Sequence, residues 1–134
     1  MTIKRLLVLK KYTLLISIGY SVSLLALSLM TLDFDKIQDF APTFGDKIFH
    51  FVAYGLLTWT WFYTFHIKYK YSKLKALILV SIASIIFGTI IEVLQKELTN
   101  TRFFDWYDIT ANIGGVLIIA SIVLFNKKSD VKYY

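Results

Sequence analysis

Four long apolar runs divide the chain, and their lengths predict four membrane-spanning helices. Residues 12–32 (YTLLISIGYSVSLLALSLMTL) carry no formal charge. At about 1.5 Å per residue such a helix crosses the roughly 30 Å hydrocarbon layer. Residues 48–66 (IFHFVAYGLLTWTWFYTFH) are of similar length and rich in aromatic rings. Residues 74–95 form a third run, broken only by Lys75 near one end and Glu92 near the other, and residues 109–125 (ITANIGGVLIIASIVLF) form a shorter fourth. No run alternates with period two or carries a clean polar stripe, which argues against strands and surface helices. The expected fold is therefore all-α, a single domain over 1–134 built as an integral membrane bundle of four transmembrane helices. The first run follows a basic N-terminus, as a signal peptide would. It is longer than the usual h-region of about 7–15 residues and lacks a small-residue cleavage site, so an uncleaved anchor is expected.

Composition points the same way. Hydrophobic residues make up 57% of the chain, charged ones 18%, and the mean hydropathy is +0.61. Soluble domains run near about 45–50% and about 25%, so a water-soluble single-core protein is excluded. One proline and six glycines argue against a disordered chain. The absence of cysteine removes disulfides, thiolate metal sites and thiol catalysis together.

The net charge of +6 is unevenly placed. Lys4, Arg5, Lys10 and Lys11, then Lys68, Lys70, Lys73 and Lys75, then Lys127, Lys128 and Lys132 share one side of a four-span topology, with Asp130 the one acid among them. Lys36, Lys47, Lys96 and Arg102 fall on the other side, among the remaining acids. The positive-inside rule then puts both termini in the cytoplasm, N-in/C-in. Topology and anionic lipid account for the basic excess, and no nucleic acid partner is needed. The bilayer is the first partner.

The candidate chemistry lies in polar residues within or beside the spans. Asp46, His50 and Tyr54 recur at i, i+4 and i+8 on one helical face, and Glu92 and Gln95 share another, with Gly88 one turn away. Arg102 and Asp105 lie in the third loop; Asp105, Asp108, Asn112 and Gly115 follow at spacings of 3, 4 and 3. The topology gathers all of these in the outer half of the membrane, whereas the inner halves hold apolar residues, serine and threonine. An ionised side chain within a span costs about 2.5–3.5 kcal/mol on insertion scales, so these groups should face the bundle interior and find partners. Glu92 is expected to pair with Arg102, with His50 or Gln95 bonding its remaining oxygens. Pro42 and Gly45 predict a turn before the second span, with Asp46 as its N-cap.

Two readings stand side by side. In the first, His50 and Glu92 are candidates for proton transfer, while Asp46, Tyr54, Gln95, Arg102, Asp105, Asp108 and Asn112 bind a ligand. In the second, Asp46 caps a helix, His50 is a satisfied intrabundle histidine, and the Glu92–Arg102 pair fixes helix register. Asn112 and Gly115 also fit a helix–helix contact. His50, Asp46, Glu92 and Asp108 could in principle supply a His-plus-carboxylate site, but only one histidine lies at this level and no HExxH is present, so a metal centre is not expected; His66 falls at the opposite end. No cofactor is expected. The stretch holding Trp59, Trp61, Phe62, Tyr63 and Phe65 suits an aromatic belt at the inner interface, and Trp106 with Tyr107 suits the outer one.

Together the set Asp46-Lys47-x-x-His50-x-x-x-Tyr54, Glu92-x-x-Gln95, Arg102 and Asp108-x-x-x-Asn112-x-x-Gly115 resembles the VanZ-like family of bacterial membrane proteins, over roughly residues 43–125. Thr99-Asn100-Thr101 stands before Arg102, where a proline-containing turn is more usual in the family. The resemblance implies a multi-pass protein of the bacterial cytoplasmic (inner) membrane, in a family named for low-level resistance to the glycopeptide teicoplanin. It implies a motif more than a reaction. The expected function is an outward-facing polar pocket that binds or processes the headgroup of a lipid-linked envelope or cell-wall precursor, or meets a glycopeptide. The alternative is a non-enzymatic accessory protein whose polar cluster only locks the bundle.

Overall fold

The computed structural model describes residues 3–30, 44–99 and 104–126, and every regular element among them is helical. Four helices follow in order: α1 (Ile3–Leu29), α2 (Phe44–Tyr63), α3 (Lys73–Leu98) and α4 (Trp106–Phe125). Each overlaps one of the apolar runs, although α1 begins nine residues before its run and α2 starts and ends a few residues early.

α3 shows why these helices suit lipid. Ile78, Ile82, Ile86 and Ile90, four residues apart, are all exposed, whereas Ala76, Val80, Ser84, Gly88, Glu92 and Gln95 are buried. Large aliphatic side chains outside and small or polar ones inside invert the pattern of a water-soluble helix. Lys10–Leu29, Lys73–Leu98 and Trp106–Phe125 are long and apolar enough to cross a membrane. α2 has similar length but carries Asp46, Lys47 and His50 in its first two turns, and it is not among those three.

α2 lies at the centre. Its most extensive packing is against α4, and it also meets α1 and α3. The α2–α4 contact is close because two glycines face each other. A Cβ on Gly115 would stand 2.0 Å from the Phe51 carbonyl oxygen, and one on Gly55 would stand 3.2 Å from Ile119 Cγ1 and 3.4 Å from the Gly115 carbonyl oxygen. Two apolar layers sit around this crossing, Leu24, Ala53, Tyr54, Leu57 and Val116 in one and Phe62, Ala76, Leu77, Val80 and Val123 in the other.

Hydroxyl groups tie α1 to α2. Ser17 Oγ and Thr64 Oγ1 are 2.8 Å apart, the Trp61 indole N–H donates to Ser21 Oγ at 2.9 Å, and the Tyr20 hydroxyl donates to the Ala53 carbonyl at 2.7 Å. Such bonds join helices where lipid offers no hydrophobic drive for association. They also revise the expected aromatic belt: Phe62 is a core residue and Trp61 is bonded into the bundle, while Trp59 remains partly exposed. A side chain with an inward partner gains more there than at the interface.

The α2 helix does not continue regularly to residue 66. Thr64–Lys68 widen into a π turn, closed by Tyr69 N–H on the Thr64 carbonyl, and the His66 ring nitrogen Nδ1 meets the Tyr71 carbonyl at 2.9 Å. Lys70 then takes a left-handed conformation (φ 56°), and Ser72 caps α3, its Oγ accepting from Lys75 N–H. At the same end Lys73 Nζ donates to the carbonyls of Leu124 and Asn126, satisfying the C-terminus of α4.

Candidate functional site

The start of α2, the end of α3 and the start of α4 meet at one end of the bundle. Asp105 sets the geometry there. It is the N-cap of α4, with Oδ1 accepting from Tyr107 N–H at 2.8 Å and Oδ2 accepting from Lys47 Nζ at 2.6 Å. Asp108, one turn further, receives a second, short bond from the same ammonium. Asp46 Oδ2 lies 3.7 Å from that nitrogen. One lysine on α2 thus gathers two carboxylates of α4, and its bond to Asp105 holds that carboxyl below the usual carboxylate range.

His50 lies beneath this rim and is only 3% exposed. Its Nδ1 is 3.0 Å from Asn112 Oδ1 and 3.8 Å from Glu92 Oε1, and its Nε2 is 3.5 Å from Asp108 Oδ2 and 3.8 Å from Asp46 Oδ1. The Asn112 amide oxygen can accept from an Nδ1–H, while Nε2 faces the carboxylates of Asp46 and Asp108. Tyr54 lies one turn below, its ring parallel to the imidazole. Gly88 makes the space: a Cβ there would fall 2.7 Å from the Tyr54 ring and 2.9 Å from Asn112 Nδ2.

Burial deepens in steps. The Asp46 and Asp105 side chains are 50% and 36% exposed, Asp108 is 9%, and Glu92, at 1%, forms the floor. The cluster therefore has a polar rim and a dry base.

Asp46, His50, Tyr54, Glu92, Asp105, Asp108 and Asn112 are brought to this one end. Gln95 turns elsewhere, and its amide donates to the Ser28 carbonyl at 2.8 Å, joining α3 to α1. Arg102, with its expected bond to Glu92, lies outside the described residues, as does Pro42. α2 begins at Phe44, so Gly45 is helical rather than part of a turn, and Asp46 lies in the first helical turn instead of at the cap. A carboxylate there still favours the helix dipole. The residue that sequence reasoning missed is Lys47. Beside Asp46 it read as a loop charge, and its signal was that it stands at the very start of an apolar span.

The three apolar helices and the polar end of the bundle define an all-helical membrane protein. No protein-family model matches the chain, and neither a curated protein nor a solved structure does.

Proposed function

We propose that the chain is a VanZ-like protein of the bacterial cytoplasmic membrane, with α2 as a fourth span and both termini inside, whose outward-facing polar cluster binds the headgroup of an envelope or cell-wall precursor. The observation that carries this reading is the convergence of Asp46, His50, Glu92, Asp108 and Asn112 from three separated stretches onto one end of the bundle. Buried ionisable groups in a membrane are costly to keep and mark functional sites by default. In this reading His50 and Glu92, 3.8 Å apart, exchange protons with the bound headgroup, Asp108 and Asn112 orient it, and Arg102 contacts an anionic group on it.

A second reading has its own support. Lys47 spends its contacts inside the protein and Gln95 ties α3 to α1, which suits a lock for an accessory protein. Single replacements His50→Gln, Glu92→Gln and Asp108→Asn separate the two. Ligand recognition gives membrane abundance near wild type with loss of any teicoplanin tolerance that the intact protein confers. A lock gives parallel loss of both.

The topology has its own test, made simple by a chain without cysteine. Trp106→Cys, at an exposed position, should react with a membrane-impermeant maleimide in intact cells, and Lys70→Cys only after permeabilisation. The opposite pattern would invert the proposed orientation.

A further inference from the structure

We propose that Asp46, His50 and Asp108 form a divalent-cation site at the mouth of the bundle. Zn²⁺, or an ion of similar borderline character, would be held there by one imidazole nitrogen and two carboxylate oxygens, with further positions open. One ligand atom from each of the three residues lies within 4.8 Å of the other two.

His50 Nε2 is buried and makes no hydrogen bond, yet it faces two carboxylates. With the proton on Nδ1, a lone pair points at two anions, an unfavourable arrangement unless a positive charge stands between them. The two carboxylate oxygens stand 3.5 and 3.8 Å from that nitrogen, beyond hydrogen-bonding distance. These separations suit a common ion better: ligands about 2.1 Å from a tetrahedral zinc lie about 3.4 Å apart.

The surroundings have the form of a ligand set already braced. A metal-binding histidine donates its other ring N–H to an oxygen that fixes the ring, and Asn112 Oδ1 occupies that place. Lys47 bonds Asp108 through Oδ1 and leaves Oδ2 toward His50; on Asp46 it approaches Oδ2, leaving Oδ1 toward the ring. The ammonium and a cation would thus use opposite oxygens of both carboxylates. Charge allows both. Three carboxyl groups, of Asp46, Asp105 and Asp108, surround the Lys47 ammonium, and Glu92 lies on the far side of the imidazole. One nitrogen with two oxygens suits zinc or manganese better than the all-oxygen shells preferred by calcium and magnesium. Of the His-plus-carboxylate set that the sequence offered, the structure brings Asp46, His50 and Asp108 together and leaves Glu92 outside the group.

The test uses full-length protein, stripped with chelator and dialysed in detergent against Zn²⁺ alone, with bound zinc measured per chain. Wild type and His66→Gln should each retain about one ion, and His50→Gln none. Asp46→Asn should weaken affinity about tenfold or more. Asp46 lies on the exposed rim, so this variant should elute from size exclusion as wild type does, and its loss of zinc would not come from unfolding. No specific binding by wild type would overturn the site, as would zinc retained unchanged in both Asp46→Asn and His50→Gln. Neither result depends on whether a headgroup binds.

Discussion

Gly115→Ala should be among the most damaging single substitutions in the chain, although it adds one methyl group far from any charge. The new Cβ would lie 2.0 Å from the Phe51 carbonyl oxygen and 3.1 Å from Gly55 N. Both are backbone atoms of α2, so no rotamer change relieves the clash and the two helices must separate. Their separation would loosen the most extensive packing in the bundle and move His50, on α2, away from Asn112 and Asp108, on α4. Overpacking typically costs about 1–3 kcal/mol, and a clash with rigid backbone belongs at the upper end. Gly55→Ala meets the Ile119 side chain at 3.2 Å, which can yield, and should cost less. Gly19→Ala is the control: nothing lies within 4 Å of its added Cβ, and alanine is the better helix former, so stability should hold or rise. The fraction of protein remaining monodisperse in detergent after a graded heat challenge ranks the three. If Gly115→Ala survives as well as Gly19→Ala, the close approach of α2 and α4 is wrong.

The sequence made the helices and the shared faces of the polar groups legible because both depend on one-dimensional periodicity. Asp46, His50 and Tyr54 at intervals of four had to share a face, and His50 and Tyr54 on it are buried against the neighbouring helices. Rotation between helices is another matter. Gln95 shares a face of α3 with Glu92, yet a small angular offset sends its amide to Ser28 on α1 while Glu92 turns to His50. The aromatic stretch of α2 was ambiguous for a similar reason. An indole serves equally at a headgroup boundary or against a serine, and only the position of Ser21 on α1 decides between them. Lys47 stood in the Asp46–Tyr54 motif and at the start of an apolar span, but only the positions of Asp105 and Asp108 on another helix show it to be a clamp and not a loop charge.

Lys47→Met should destabilise the bundle by about 2–4 kcal/mol, because methionine keeps the length of the side chain and removes the charge that two carboxylates of α4 share. Asp105 has water to fall back on at the rim. Asp108, with its side chain 9% exposed, does not, and its carboxylate would lose the ammonium that faces it. Removing one partner of a buried pair costs more than the pair itself contributes, since the remaining charge keeps its desolvation penalty. Adding Asp108→Asn to Lys47→Met should therefore restore more than half of the loss, although it removes a second polar contact. Lys47→Met paired with Asp105→Asn should restore much less. The Asp105 contribution also has a defined pH range. Its carboxyl is held below the ordinary aspartate value of 3.8, so its share of the stabilisation is full above that value and fades as pH falls through the lower value of the folded state. Unfolding should be followed with chelator present, so that no cation takes the place of the missing ammonium. An additive double variant, with Asp108→Asn worsening Lys47→Met by its own full cost, would mean that the lysine does not hold α2 against α4.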